Sequence, residues 1–105
     1  MNDFNQVALS DAGQIAVKYN CGGLVQGAIE RAMRELQDYM AHSVDCDARR
    51  PVDVVQLTDA TQMIGELMPD LIFDLNKWFA VEWSEAMGEH REQCGRCQRE
   101  MRRAV

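Results

Sequence analysis

The residues best suited to chemistry lie near the C-terminus, in Gly88-Glu89-His90-Arg91-Glu92-Gln93-Cys94-Gly95-Arg96-Cys97. One imidazole and two thiols stand there in a His-x3-Cys-x2-Cys spacing. If the segment before Cys94 is helical, His90 and Cys94 share one face, a turn apart. The Cys94-Gly95-Arg96-Cys97 step can then turn tightly, with Gly95 free to take a positive φ, and return the second thiol to the same point. Thiolate and imidazole converging in this way suit zinc, which prefers such donors in a tetrahedron.

A closed structural site needs a fourth ligand. Cys46 is the first choice, because its polar loop can fold back on the motif. His42 is the second, since His42 and Cys46 repeat the His-x3-Cys spacing. Cys21, beside Gly22-Gly23, is the third. With four protein ligands no coordination position stays open, and the zinc holds the fold together instead of catalysing. The competing reading makes Cys21 and Cys46 small buried residues, with Cys94 and Cys97 as free thiols on a frayed tail. The start of the chain, Met1-Asn2-Asp3-Phe4, has neither the basic flank nor the apolar run of a signal peptide. The four cysteines therefore read as thiols or ligands of a cytoplasmic protein, not as disulfides.

On His90, Cys94 and Cys97 the sequence resembles the zinc-binding anti-sigma factors, which carry an upstream Cys and then His-x3-Cys-x2-Cys across a helix–turn–helix. The resemblance implies a protein that wraps an RNA polymerase sigma subunit and keeps it from the core enzyme, in some members until the thiols are oxidised. It covers about a tenth of the chain. The motif here sits at the C-terminus instead of near the start, and Cys46 precedes His90 by more than the family's usual span.

Other chemistry finds little support. Cys21-Gly22-Gly23 lacks the Lys-Ser/Thr of a phosphate loop, and no Gly-x-Ser-x-Gly elbow is present. His42 with Asp45-Cys46-Asp47 could be drawn as a nucleophile with its base or as a magnesium site, but a solvated loop before Arg49-Arg50-Pro51 is the simpler reading. Glu82 and Glu85 have no evident partner carboxylate. The expectation is a non-enzyme.

The elements that must position the motif are helical. Only Val52-Asp53-Val54-Val55 alternates, too briefly to found a sheet. A short first helix starts at Asp11, with Asp11 capping and Gln14 reaching back, runs to about Tyr19, and is stopped by Asn20-Cys21-Gly22-Gly23. The clearest helix spans Leu24 to His42, where Val25, Ala28, Ile29, Ala32, Met33, Leu36 and Met40 form one apolar stripe. Ser43 to Gln56 is a polar connection, with Pro51 forbidding regular helix through Arg50. Helix resumes after Thr58 or Asp59, Gln62 supporting the latter, and breaks at Met68. A fresh helix runs from Pro69 to Met87, since proline is welcome in a first turn. A last short helix covers Cys97 to Arg103. Together these predict an all-α, small irregular bundle of four to five helices over 1–105, one domain, stapled by zinc through a C-terminal element at 88–105.

The helix Pro69–Met87 is apolar on more than one side, with Phe73 and Val81 lying off the main stripe. Phe73, Trp78, Val81 and Trp83 are therefore candidate partner contacts. Charge points to the kind of partner. The net charge is −6, yet residues 1–89 carry six Lys and Arg against fifteen Asp and Glu, and residues 90–105 carry five against two. An acidic body repels nucleic acid and suits a protein with a basic surface. No apolar run has membrane-spanning length. The sequence thus predicts an acidic protein-binding inhibitor or negative regulator, of transcription or of other nucleic-acid-handling machinery, in a bacterium, phage or mobile element. Two alternatives stand beside it: a homodimer serving as a structural or assembly subunit, and a small zinc protein that binds nucleic acid through its C-terminal arginines.

Overall fold

The computed structural model describes residues 10–103, with side chains described through residue 100. Readings placed on Met1–Phe4, and on the side chains of Arg102 and Arg103, lie outside these residues. Five α-helices follow one another: α1 Asp11–Lys18, α2 Gly23–Ser43, α3 Asp59–Leu67, α4 Pro69–Gln93 and α5 Gly95–Arg103, with one turn of 3-10 helix at Val54–Gln56 before α3. The all-α bundle expected from periodicity is what the chain forms, and no strand occurs among the described residues.

Each helix begins where its local chemistry allows. The cap of α1 is Ser10, whose hydroxyl accepts from the Gly13 amide at 3.0 Å, and not Asp11, which becomes the first helical residue. Asp11 is instead committed to the Trp78 indole, accepting from Nε1 at 3.0 Å. After α1 the chain reverses through Asn20, at φ 55°, a left-handed conformation that asparagine tolerates better than most residues. Thr58 caps α3 in a reciprocal box with Thr61, not with Gln62 supporting Asp59. The Thr61 hydroxyl is fully buried and donates to the Thr58 carbonyl at 2.9 Å, so the buried polar group is satisfied. Met68, outside helical geometry at ψ 75°, separates α3 from α4, and Pro69 opens the new helix as expected.

The core forms where α2 and α4 face each other, with α1 and α3 closing over them. The stripe of α2 is buried from Ile29 through Met40, while Val25 and Ala28 are only half covered at its open end. From α4 come Leu71, Leu75, Phe79, Trp83 and Met87, at steps of four and four again, which keeps them on one face. Phe79 and Trp83 stack tilted with ring centroids 5.6 Å apart, and Tyr39 of α2 meets Trp83 at 6.5 Å. Truncating a fully buried phenylalanine such as Phe79 typically costs ~3–5 kcal/mol.

One difference from expectation matters for the site. α4 does not stop at Met87 but continues through Gly88 to Gln93, a helix of 25 residues. A glycine inside a helix costs only about 1 kcal/mol relative to alanine. The segment therefore stays helical, and it carries His90 beyond the end of the core.

Candidate metal centre

Cys46, His90, Cys94 and Cys97 come together in one cluster, each offering a ligand atom within 4.8 Å of all the others. The Cys46 sulfur lies 3.4 Å from His90 Nε2, 3.4 Å from the Cys94 sulfur and 3.5 Å from the Cys97 sulfur. A tetrahedral zinc with bonds of about 2.3 Å to sulfur sets sulfur–sulfur edges of about 3.8 Å. The cluster is thus slightly tighter than a filled site and has the right donor set, three thiols and one imidazole, for zinc. No disulfide links the cysteines.

Three pieces of local structure place these atoms. The last turn of α4 presents His90, and the Cys94 amide still bonds to the His90 carbonyl at 2.8 Å, so the two side chains project one turn apart. Cys94 itself is extended, at φ −92° and ψ 119°, and this residue makes the corner between α4 and α5. No glycine has a positive φ, so the freedom expected of Gly95 is not used; Gly95 is simply the first residue of α5. In the first turn of α5 the Cys97 side chain is buried beside the cluster. Cys46 arrives from the loop after α2, in a turn where Asp45 Oδ1 accepts from the Asp47 amide at 3.0 Å.

Two neighbours brace the corner, and no motif in the sequence pointed to either. Gln98 donates from Nε2 to the carbonyls of Arg91 (3.1 Å) and Glu92 (2.9 Å), satisfying acceptors that the end of α4 leaves open. Arg96 reaches Asp47 at 3.4 Å and ties α5 to the loop that carries Cys46.

The thiols are poised unequally. The Cys97 backbone N–H directed at the Cys94 sulfur, helped by the Cys46 thiol, brings Cys94 down to about 7. This is the behaviour of a thiol at a helix N-terminus, where backbone donors favour the anion. Cys46 is pushed up to about 12, because the Cys94 and Cys97 sulfurs beside it favour its protonated form. A cation entering the cluster would relieve that crowding of negative charge by displacing the shared protons.

The remaining candidates lie elsewhere. His42 is exposed at the end of α2, its Nδ1 2.8 Å from the Asp38 carbonyl. Cys21 sits 3.6 Å from the Met68 sulfur, at the corner between α1 and α2, and does not join the cluster. Of the proposed partner contacts, Phe73 is 67% exposed and Val81 59%, while Trp78 is half-buried and held by Asp11. Trp83, at 5%, is a core residue and is not available to a partner. It follows Phe79 by one turn and so shares the buried face.

A groove of about 440 Å³ between α2 and α4 ends at His90. Met40, Ala41 and Ala86 contribute apolar surface, and Gln37, Glu82, Glu85 and Glu89 line its polar side. Partial burial pushes the Glu82 carboxyl up, and the neighbouring Glu85 adds to the shift. No helix among the described residues is long and apolar enough to cross a membrane. Comparison of the chain with protein-family models, with curated proteins and with solved structures gives no match in any of the three.

Proposed function

We propose that this chain is a zinc-stapled protein-binding module of the cytoplasm, working as an inhibitor or negative regulator of a partner with a basic surface. The observation that carries the reading is the closed Cys46–His90–Cys94–Cys97 set. Four protein ligands complete a tetrahedral zinc, so the metal would serve shape and not catalysis. The partner chemistry follows from charge. Fifteen acidic residues against six basic ones in residues 1–89 favour encounter with a cationic surface, and Glu82, Glu85 and Glu89 concentrate that charge along the α2–α4 groove. The likeness of the His-x3-Cys-x2-Cys element to zinc-binding anti-sigma factors supports a target among nucleic-acid-handling proteins, and contact with the nucleic acid itself is disfavoured by the same charge.

The test combines metal analysis with affinity capture from the native host at low and moderate salt. About one zinc per chain is expected, together with a basic protein whose retention falls with salt and with the charge reversal Glu82→Lys/Glu85→Lys/Glu89→Lys. Zinc far below one equivalent, or a partner held equally well by the reversed groove, would remove this reading.

A further inference from the structure

α4 carries a second seam that nothing among the described residues covers. Asp70, Phe73, Lys77, Val81, Ser84, Gly88 and Arg91 recur at steps of three and four, so they line one face for roughly 30 Å of helix. Six of the seven are exposed and Gly88 is half-covered. Two large apolar residues on this face, Phe73 and Val81, both project exposed from α4, and apolar side chains aligned on an exposed face mark an interaction surface. Gly88 adds a second observation. A side-chain carbon placed there would meet nothing within 4 Å, so packing within the chain does not require a glycine at this point. The residue costs α4 about 1 kcal/mol of helix propensity.

The order of residues along the seam is symmetric about the Ala80–Val81 bond. Laid antiparallel on a copy of itself, the seam sets Phe73 against Gly88 of the second copy, Lys77 against Ser84, and Val81 against Ala80. The large ring thus meets the one position without a side chain, and the two valines lie side by side at the axis. At the ends Asp70 faces Arg91, an exposed anion against an exposed cation, twice over. A parallel arrangement would instead place Asp70 beside Asp70, Phe73 on Phe73 and Arg91 beside Arg91, which charge and volume both oppose.

We propose that α4 pairs antiparallel with α4 of a second copy of this chain, through a two-fold interface centred at Ala80–Val81. Such an interface is isologous, the same patch serving both subunits. It lies on the flank of α4 away from the core and leaves the α2–α4 groove and the Cys46–His90–Cys94–Cys97 cluster of each copy uncovered. It is independent of the metal reading and of the groove, and it assigns Phe73 and Val81 to a second copy of this chain instead of to a different protein.

The full chain, purified without chelator, should sediment at twice its 12.0 kDa mass and dissociate on dilution. Val81→Glu places two carboxylates at the axis and should raise the dimer dissociation constant at least about 30-fold, the loss expected of a central anchor. Its helical circular dichroism should not change, because Val81 is exposed in the single chain. Asp70→Arg and Arg91→Asp should each weaken the dimer, and the double exchange should restore it. A monomer at every accessible concentration overturns the proposal, as does a dimer indifferent to Val81→Glu. Failure of the double exchange to restore pairing overturns the antiparallel register.

Discussion

The sulfur of Cys46 stands 3.4 Å from Nε2 of His90, although 44 residues separate them in the chain. Between the two lie the 3-10 turn, α3 and most of α4, so the packing of those elements brings one side chain to the other. Metal binding should therefore be coupled to the fold of the whole bundle. Stripping the metal with EDTA is expected to lower the melting temperature, read by calorimetry before and after zinc is returned. An unchanged melting temperature would mean that the cluster holds no structural ion.

The ligand assignment makes a sharper comparison. Cys46→Ser, Cys94→Ser and Cys97→Ser should each bring zinc content well below one per chain. Cys21→Ser and His42→Ala should leave it intact, and the exposed His42 should alter stability by no more than about 0.5 kcal/mol. Zinc loss on His42→Ala, with Cys46→Ser harmless, would exchange the fourth ligand.

Two phenylalanines on one helix should respond in opposite ways. Phe79 is fully buried, and Phe79→Ala should destabilise by ~3–5 kcal/mol in chemical denaturation. Phe73 is 67% exposed, so Phe73→Ala should change the unfolding free energy of the single chain by under about 0.5 kcal/mol. Comparable losses at both positions would show that Phe73 is covered within the chain.

Charge poise within the cluster has a chemical readout. Cys94 is lowered to about 7, so in metal-stripped protein it is largely thiolate above that pH and protonated below it. Cys46, raised to about 12, stays a thiol through the neutral range. Iodoacetamide should thus modify Cys94 before Cys46, at a rate that climbs as pH rises through about 7, measured by peptide mass spectrometry. Because the depressed group favours the fold only while ionised, its contribution to the metal-free protein is full above the ordinary thiol value of 9.0 and is lost as pH falls from there through about 7. Faster alkylation of Cys46 would reverse the assignment.

Much of this architecture was legible in the sequence, for reasons that differ by element. The stripe of α2 is periodic and one-sided, so its burial follows directly from helical geometry. Pro69 marks the start of α4 because proline suits a first turn. The grouping of His90, Cys94 and Cys97 was legible because their contact is local. Cys46 could be ranked first but not placed, since nothing in local spacing encodes a contact made across 44 residues. Trp83 is no partner contact, because its four-residue step from Phe79 sets it on the buried face of a helix that is apolar on more than one side. The helix expected to end at Met87 runs on to Gln93, because Gly88 lowers helix propensity without ending the helix. Ser10 and Asp11 can both cap, and in the fold Ser10 caps while Asp11 accepts from the indole of Trp78.

Met87 is the last residue of α4 to reach the core, and His90 lies nearly one turn beyond it. Past that point Cys97 is the one buried apolar side chain among those described. Residues 88–103 should therefore behave as a separate cooperative unit, able to open while α2 and the first part of α4 stay closed. In amide hydrogen exchange, protection over this stretch would measure how firmly the Cys46–His90–Cys94–Cys97 cluster stays closed, whereas protection around Leu75 and Phe79 would report the stability of the bundle.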